Sequence, residues 1–330
     1  MGPMSRSSPW RAGDLLASSY RVVRLLGQGS KGAVYLATEP SGKEVLLKAI
    51  TAELTSDPGV SRRLAQAARL GMYLGSERVL RVLATGVEDR SGLPFVVTEL
   101  AHGPTLGARL ASEQPLPREE ASQVVRGLLE ALVAAHTIHV VHGDLQPESV
   151  LLVPGDDGAP NVKVQDFGLS LRTFAGTSEQ GVATAGLNPW TAPECASPNE
   201  APSAASDVWS AGLIAFEAFT GKSYWKSVSL TKASVFEVMV EVLRSPIVPA
   251  SKRAAEYGRA HCLPPGFDAW FARCVSRDPS VRYRDGRLAR GAFTSMRAPT
   301  GFVWDRRTRL MVGAMAGLLL LAGTVFALTR

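Results

Sequence analysis

The pattern of apolar and polar residues changes about a third of the way along the chain. From residue 20 to residue 98, short apolar runs mostly alternate with polar positions, which is the period of β-strands. Further along, apolar residues recur every three or four positions, which predicts helices. The predicted helices lie at residues 117–138, 206–220, 232–245 and 267–275, and one more lies at 60–75. This order of elements indicates an α+β fold with a small β-rich part and a larger helical part.

The last apolar run differs from the others because residues 310–328 contain no charge. As a helix, this run would cover about 28 Å, close to the roughly 30 Å hydrocarbon core of a bilayer. Three arginines within residues 306–309 precede it, and positive residues favour the cytoplasmic side. We therefore expect one C-terminal transmembrane helix with the rest of the chain in the cytoplasm. The GxxxG spacing of Gly313 and Gly317 would allow a homodimer through this helix.

Composition adds little to this picture. The 330 residues are 45% hydrophobic, as in an ordinary globular protein, and carry a net charge of +6. Because the positive residues are scattered, they favour a solvated surface over a nucleic-acid-binding site. The cysteines at 195, 262 and 274 fit no metal-ligand spacing and indicate free thiols in a reducing compartment.

A glycine-rich turn separates the first two predicted strands. Gly27, Gly29 and Gly32 interrupt the β-type pattern, which resumes with a run that contains Val34. Glycines let backbone N–H groups approach phosphates without obstruction by a β-carbon. In a dinucleotide-binding fold such glycines would open a helix, whereas a β-type run follows here. The pattern GxGxxGxV thus favours a hairpin that covers nucleotide phosphates.

Three charged residues further along complete a candidate phosphate site. Lys48 is a lone charge within an apolar strand, and its place after the glycine-rich hairpin favours a phosphate ligand over a solvent-facing lysine. Asp144 lies in the turn at 142–149, and Asp166 opens an Asp-Phe-Gly tripeptide. Carboxylates on two turns joined by β-type runs can face one cavity. One could then hold cations while the other orients a hydroxyl.

Six motifs in this order and spacing resemble those of the eukaryotic-type serine/threonine protein kinases of bacteria. They are the glycines of 27–32, Lys48, His142-x-Asp144, the tripeptide at 166–168, Ala-Pro-Glu at 192–194, and Asp207 with Arg282. The resemblance covers residues 20 to about 290 and implies a two-lobed protein-kinase fold. The Ala-Pro-Glu motif favours a protein kinase over a small-molecule kinase of related fold.

The predicted organisation follows from this resemblance and from the apolar C-terminus. It comprises a flexible segment at 1–18, a kinase domain at 19–295, a basic juxtamembrane linker at 296–309 and a transmembrane helix at 310–328. Within the kinase domain, the N-lobe would span 19–100 and the C-lobe 101–295. The expected location is the inner membrane of a bacterium, with the kinase domain in the cytoplasm.

The resemblance also implies a role for each candidate site residue. The glycine loop with Val34 would cover the phosphates of ATP, and Lys48 would pair with them. Asp166 and Ser149 would hold Mg²⁺ or Mn²⁺, while Asp144 would act on the hydroxyl of a protein substrate.

Other residues of the resemblance would bind the base or support the scaffold. The backbone at Glu99 and Ala101, in a hinge that follows a gatekeeper Thr98, would bind adenine. Glu194 and Arg282 would form a structural ion pair, and Asp207 would hold the backbone of the catalytic loop. The histidines at 136 and 139 are expected only to pack, or to lie exposed, near a helix end.

Several positions of the catalytic loop and its surroundings depart from the family pattern. Gln146 replaces the lysine of the catalytic loop, and Ser149 replaces the asparagine that binds the second metal. Leu187 replaces a threonine that in the family bonds the same aspartate and lysine, so Gln146 and Leu187 are linked losses. Gly143 replaces an arginine that commonly receives an activation-loop phosphate, so activation by that route is not expected.

Two further departures surround Lys48. Leu46 stands where the family has an alanine against adenine, and it would crowd the base. The glutamate that should pair with Lys48 is expected near residue 67, but Gln66 and Ala67 stand there and no carboxylate lies between residues 61 and 76.

These residues are compatible with two functions. The first is a membrane-anchored serine/threonine protein kinase that transfers the γ-phosphate of ATP to a protein hydroxyl with weak or atypical activity. The second is a pseudokinase that acts through protein contacts and can retain ATP binding without phosphotransfer. Loss of one preorganised donor can cost about 3–4 kcal/mol of barrier, so Gln146 and Ser149 favour the second function. The retained Asp144 and Asp166 favour the first.

Overall fold

The computed structural model describes residues 9–296 except 30–31, 51–67, 156–159, 170–186, 198–199 and 230–233. These residues form a β-rich N-terminal lobe and a helical C-terminal lobe, as the sequence predicted. The strands of the N-terminal lobe are β1 (Leu15–Leu16), β2 (Tyr20–Gly29), β3 (Gly32–Thr38), β4 (Glu44–Ile50), β5 (Val82–Val87) and β6 (Pro94–Glu99). They pair antiparallel in the order β1-β2-β3-β4-β6-β5.

The alternation of β4 decides which side chains reach the cleft between the lobes. Val45 and Leu47 are fully buried in the core of the N-terminal lobe, whereas Leu46 and Lys48 are half-buried. Because successive side chains of a strand point to opposite faces, Leu46 and Lys48 share the face that lies away from this core.

Residues 10–16, within the segment predicted to be flexible, contact the sheet. β1 pairs with β2, and the Trp10 side chain packs 5.4 Å from the Tyr35 ring with only 6% of its surface exposed. Burial of an indole removes enough apolar surface from water to hold a short segment against the sheet.

Helices form most of the C-terminal lobe. They are α1 (Leu106–Leu110), α2 (Arg118–Thr137), α3 (Ala204–Thr220), α4 (Val235–Arg244), α5 (Ala250–Glu256), α6 (Phe267–Cys274) and α7 (Gly286–Thr294). α3 is buried along nearly its whole length, as expected of a helix that is apolar on all sides. The hydroxyls of Ser203 and Ser206 cap its first turn reciprocally, and Gly221 ends it with φ +63°.

A short hairpin connects the two turns that carry the acidic motifs. Its strands are β7 (Val150–Pro154) and β8 (Pro160–Val164), with Val150 opposite Val164. This register makes Ser149 and Gln165 neighbours, and the Gln165 N–H donates to the Ser149 carbonyl over 2.9 Å. The catalytic loop and the Asp-Phe-Gly turn are thereby brought side by side.

Several predicted elements fall partly or wholly outside the described residues. Of the helix predicted at 60–75, residues 68–71 are helical, and Gln66 and Ala67 are not described. The predicted linker and transmembrane helix at 297–328 also lie outside them. Within residues 9–296 as described, no helix is both long and apolar enough to span a membrane.

Candidate active site

A cavity of about 140 Å³ brings most of the predicted site residues together. The described residues that line it are Gly32, Ala33, Val34, Lys48, Ala49, Ile50, His142, Asp144, Ser149, Asp166 and Leu169. They come from the glycine-rich hairpin, from β4, from the catalytic loop and from the Asp-Phe-Gly turn. The two lobes therefore contribute the charged residues that the sequence predicted to face one cavity.

Gly32 is the glycine of the hairpin that contacts this cavity. It lies opposite Gly29 at the turn, with φ +143°, and a β-carbon on it would lie 1.8 Å from the Ala49 carbonyl oxygen. Only glycine fits there, because β3 must approach β4 closely at that point. Gly27 and Gly29 lie on β2 of the same hairpin but not in the described lining, so their contact with phosphates stays a prediction.

Lys48 points into the cavity and not into solvent. Its ammonium lies 2.5 Å from the Asp166 carboxylate and donates to the side-chain oxygen of Gln165 over 3.0 Å. The lysine side chain is 15% exposed. Lys48 therefore does not face solvent, whereas its role as a phosphate ligand stays a prediction. Gln165 is a partner that the sequence did not reveal. The feature of the sequence that could have indicated Gln165 is its position directly before Asp166.

Gln165 also fastens the Asp-Phe-Gly turn to the catalytic loop. Its side-chain amide donates to the Glu148 carbonyl over 3.0 Å, and its own carbonyl is 2.9 Å from His142 Nε2. Lys48 is thus held by an amide that is itself anchored to the opposite lobe.

Asp207 holds the backbone of the catalytic loop, as predicted. Its carboxylate is 1% exposed and accepts hydrogen bonds from the N–H groups of His142 (2.7 Å) and Gly143 (2.8 Å). A third contact, 3.0 Å from His136 Nε2, corrects the expectation that this histidine only packs or lies exposed. His136 Nδ1 accepts from the Gly286 N–H over 3.0 Å, so the ring links α2, α3 and α7. Such bonds satisfy a carboxylate that would otherwise be costly to bury.

His142 is a buried packing residue beside the reactive groups. Burial lowers the pKa of its imidazole below the ordinary value, although nearby carboxylates oppose this shift. The neutral ring donates from Nε2 to the Gln165 carbonyl, and its Nδ1 lies 3.3 Å from the Asp144 N–H. It also packs edge-on against Phe167 with the ring centroids 4.9 Å apart. These contacts hold the His142 ring in place and thereby orient the catalytic loop between His142 and Asp144.

Two residues of the site adopt left-handed backbone conformations. Gly143 has φ +76°, which glycine adopts freely, whereas Asp166 has φ +72°. A non-glycine residue in this region is uncommon and stores backbone strain of order 1 kcal/mol, although aspartate tolerates it better than most. Residues held in this way cluster at functional sites, which agrees with a role for Asp166 in chemistry.

Asp144 receives a hydrogen bond from a residue that the sequence analysis did not single out. The Asn188 side-chain amide donates to one oxygen of the Asp144 carboxylate over 2.8 Å. The neighbouring Leu187, at the position of the family threonine, is partly buried against the core of the C-terminal lobe. The feature of the sequence that could have indicated this contact is the position of Asn188 directly after Leu187, which replaces the family threonine.

The two substituted positions of the catalytic loop have different surroundings. Ser149 is 3% exposed and lines the cavity together with Asp166. It ends a short 3₁₀ turn, Pro147–Ser149, whose N-cap is Gln146. Gln146 is half-buried and does not belong to the described lining of the cavity. A catalytic role for Gln146, as an amide donor toward the transferring phosphate, therefore stays a prediction.

The hinge lies beyond the described lining of the cavity. Leu46 stands opposite Thr98 in the register of β4 and β6. The Glu99 carboxylate contacts Lys163 at 2.5 Å and the Arg81 N–H at 3.2 Å. Partial burial raises the pKa of Glu99, but these hydrogen bonds outweigh burial and bring it below the ordinary value. Adenine binding at Glu99 and Ala101 stays a prediction.

The predicted ion pair between Glu194 and Arg282 is confirmed. Both guanidinium nitrogens of Arg282 lie 2.7 Å from the Glu194 carboxylate, in a bidentate arrangement. The Arg282 side chain is fully buried, and its guanidinium lies 5.0 Å from the centroid of the Trp209 ring. This pair anchors the Ala-Pro-Glu segment to α3.

A second cavity, of about 310 Å³, lies on the far side of the catalytic loop. Glu148 and Glu217 line it with Trp190, whose indole N–H donates to Glu217 over 3.1 Å. Burial raises the pKa of the Glu217 carboxyl to about 8, and the charge of Glu148 adds to this rise. Burial therefore favours the protonated form of Glu217 at neutral pH.

Comparison with known proteins identifies the family to which this chain belongs. The model of the protein kinase domain matches residues 20–287. The chain belongs to the protein kinase family. Five of the residues that line the cavity fall in the motifs that carried the resemblance, namely Gly32, Lys48, His142, Asp144 and Asp166.

The curated relatives that this chain matches are bacterial serine/threonine-protein kinases. PknL of Mycobacterium bovis is 30% identical over 279 residues, which are 84% of this chain and 65% of PknL. PknA of Mycobacterium tuberculosis is 28% identical over 87% of this chain and 63% of its own. Pkn1 of Myxococcus xanthus is 28% identical over 88% of this chain and 40% of its own. The chain thus spans less than two thirds of the length of each relative.

Solved structures agree on the fold. The kinase domain of Mycobacterium tuberculosis PknI matches with a TM-score of 0.64 and 22% identity, over 86% of this chain and 98% of that chain. Rad53 residues 1–466 in complex with AMP-PNP match with a TM-score of 0.61 and 20% identity, over 83% and 64% of the two chains. At these identities the likeness supports the two-lobed kinase fold alone.

Proposed function

We propose that this protein transfers the γ-phosphate of ATP to a serine or threonine hydroxyl of a protein, at a reduced rate. The observation that carries the proposal is the meeting of Lys48, Asp144, Ser149 and Asp166 around one cavity. These side chains provide a cation for phosphate, a carboxylate for a hydroxyl, and oxygen ligands for a metal ion.

In the proposed reaction, the hydroxyl oxygen of the substrate attacks the γ-phosphorus of ATP. A new P–O bond forms, the bond from the γ-phosphorus to the bridging oxygen of the β-phosphate breaks, and ADP leaves with that electron pair. The Asp144 carboxylate orients the hydroxyl and accepts its proton. The transfer depends mainly on positioning and charge neutralisation, so the fixed position of the catalytic loop on Asp207 supports the proposal.

Asp166 and Ser149 fit the role of ligands for Mg²⁺ or Mn²⁺. Both line the cavity, and the Asp166 side chain is 31% exposed. Within the described part of the chain, no group of three or more His, Cys, Asp or Glu residues could hold a metal ion. One carboxylate and one hydroxyl leave the coordination to be completed by waters and substrate phosphates, as Mg²⁺ commonly requires. When bound, the ion would neutralise phosphate charge.

ATP is the proposed phosphate donor. Gly32, Val34 and Lys48 line the cavity at the side of the glycine-rich hairpin, where backbone N–H groups and an ammonium suit phosphates. The hinge at Glu99 and Ala101 would receive the adenine. The complex of Rad53 with AMP-PNP, an ATP analogue, shares the fold of this chain and supports this assignment.

A pseudokinase is the second candidate. The observation that favours it is the placement of Gln146, which brings no cation to the transferring phosphate and is not part of the described cavity lining. Two or three missing electrostatic contacts, at about 10²–10³ in rate for each, would bring transfer near background unless other contacts compensate.

Phosphate incorporation from labelled ATP distinguishes the two candidates. The purified chain is incubated in detergent with ATP and Mg²⁺ or Mn²⁺, beside Asp144→Ala and Asp166→Ala. The kinase proposal predicts incorporation above that of both variants. The intact chain would be a nucleotide-binding pseudokinase instead if it incorporates no more phosphate than the two variants and its melting temperature rises when ATP is added.

We also propose that residues 310–328 anchor the protein in the cytoplasmic membrane, with the kinase domain in the cytoplasm. The apolar length of this run and the preceding arginines support the proposal. Deletion of residues 310–330 is expected to move the protein from the membrane fraction to the soluble fraction. An intact protein in the soluble fraction would contradict it. Cross-linking of the full chain, compared with Gly313→Leu, tests whether the helix forms a homodimer.

A further inference from the structure

We infer that Asn188 is a positioning residue that holds the Asp144 carboxylate in the orientation needed for transfer. The inference rests on the proposed kinase activity and deepens it. The family pattern places a lysine and a threonine near the catalytic aspartate, and this chain has Gln146 and Leu187 at those positions. Asn188 supplies a donor to the same carboxylate from the adjacent position in the chain.

The turn around Asn188 decides which atom of its amide faces Asp144. The backbone N–H of Trp190 donates to the Asn188 side-chain oxygen over 2.9 Å, which forms an Asx turn. Because this oxygen is engaged as an acceptor, the NH₂ group is the one directed at Asp144, 2.8 Å away. The Asn188 N–H donates to the Thr191 hydroxyl over 3.0 Å and closes the turn from its other side.

The segment that carries Asn188 is fixed to the C-terminal lobe by bonds of its neighbours. The Ser210 hydroxyl, on α3, donates to the Trp190 carbonyl over 2.8 Å. The Trp225 indole N–H donates to the Pro189 carbonyl over 2.9 Å. The amide is therefore presented from a rigid segment and does not lose much freedom when it binds a carboxylate.

Asp144 belongs to a second rigid segment, the catalytic loop held by Asp207. The Asn188–Asp144 bond thus joins two anchored segments at the atom that would act on the substrate. A neutral amide orients a carboxylate without adding positive charge, whereas a lysine would do both. The Asn188–Asp144 bond is charge-assisted through its acceptor alone, whereas a lysine would also bring a charged donor, and this difference agrees with activity that is reduced but retained.

Asn188→Asp separates this role from a purely structural one. Aspartate keeps the side-chain acceptor of the Asx turn but replaces the donor to Asp144 by a second carboxylate. Thr191→Ala is the matched control, because it removes the other side-chain bond of the turn and leaves the amide in place. Asn188→Ala removes both the turn acceptor and the donor. The readouts are kcat and the KM for ATP with the full chain and dephosphorylated casein, beside the melting temperature of each variant.

We expect kcat to fall about 10- to 100-fold in Asn188→Asp and in Asn188→Ala, with the KM for ATP within threefold of wild type. Thr191→Ala is expected to keep kcat within threefold. The inference is overturned if Asn188→Asp retains the wild-type kcat, or if Thr191→Ala lowers kcat as much as Asn188→Asp does. Asp144→Ala is measured in the same series. If the wild type transfers no more phosphate than Asp144→Ala, the proposed function itself has failed, and this result is distinct from a neutral Asn188→Asp.

Discussion

The side-chain oxygen of Gln165 lies 3.0 Å from the Lys48 ammonium and accepts a hydrogen bond from it. The family pattern gives this lysine a glutamate partner from the helix of the N-terminal lobe, and residues 61–76 contain no carboxylate. Gln165 is anchored to the catalytic loop through the Glu148 carbonyl. An amide of the C-terminal lobe thus contacts Lys48 in this protein, beside the Asp166 carboxylate.

We predict that Gln165→Leu raises the KM for ATP about 10-fold, because Lys48 loses a partner and the Glu148 carbonyl loses a donor. Gln165→Glu is the matched control. It loses the same donor to the Glu148 carbonyl but keeps an acceptor for Lys48 and adds the charge that the family glutamate would supply, so the KM should stay closer to wild type. An unchanged KM for ATP in Gln165→Leu would show that Lys48 does not need the hydrogen bond to Gln165.

Two glycines of the same hairpin should respond differently to alanine. At Gly32 a β-carbon would collide with the Ala49 carbonyl, whereas at Gly27 nothing lies within 4 Å of the new atom. Gly32→Ala is expected to lower the free energy of unfolding by more than about 2 kcal/mol, and Gly27→Ala to change it by less than about 0.5 kcal/mol. Chemical denaturation of both variants checks this difference, and equal losses would contradict the close approach of β3 to β4.

The Arg282–Glu194 pair predicts a large loss of stability when only one partner is removed. Arg282→Met leaves the Glu194 carboxylate without its bidentate partner and removes donors to the Ser276 carbonyl, so a loss of about 3–5 kcal/mol is expected. Arg282→Lys keeps the charge but not the fork geometry and should lose less. Unfolding in urea measures both losses. A change below about 1 kcal/mol in Arg282→Met would mean that the pair contributes little.

Glu217 should make stability depend on pH. Its carboxyl has an ordinary pKa near 4.5 in the unfolded chain and a pKa of about 8 in the folded protein, where burial favours the neutral form. Between these values the folded state binds one proton more than the unfolded state. The free energy of unfolding therefore falls as pH rises, by about 2 kcal/mol from pH 6 to pH 8.

Glu217→Gln removes this titration and supplies the comparison. The variant should show a weaker decrease in the free energy of unfolding over the same pH range. Identical pH profiles for wild type and variant, measured by urea unfolding at pH 6, 7 and 8, would place the pKa of Glu217 outside this window.

The sequence predicted the scaffold better than the contacts of the site. The contacts of Asp207, Glu194 and Arg282 were predicted correctly because each residue lies in a motif of the family that the sequence resembles. The preference for an inward-facing over a solvent-facing Lys48 followed from its place after the glycine-rich hairpin.

Other contacts were missed because they depend on how distant segments approach each other. Asn188 and Gln165 are neutral amides in turns, and nothing in their own spacing shows which carboxylate or ammonium they meet. His136 looked like an ordinary residue near a helix end, yet its ring bonds Asp207 on another helix. The contact of residues 10–16 with the sheet depended on Trp10 packing against Tyr35.

The central claim is that Asp144 acts on a hydroxyl during phosphate transfer. Asp144→Asn keeps the size of the side chain but removes its charge and basicity, and it leaves the other cavity residues in place. The most direct test is the initial rate of phosphate transfer to casein by wild type and Asp144→Asn, at ATP concentrations that saturate both. A wild-type rate at least 100-fold above that of the variant is predicted. Equal rates, at equal occupancy by ATP, would contradict the account.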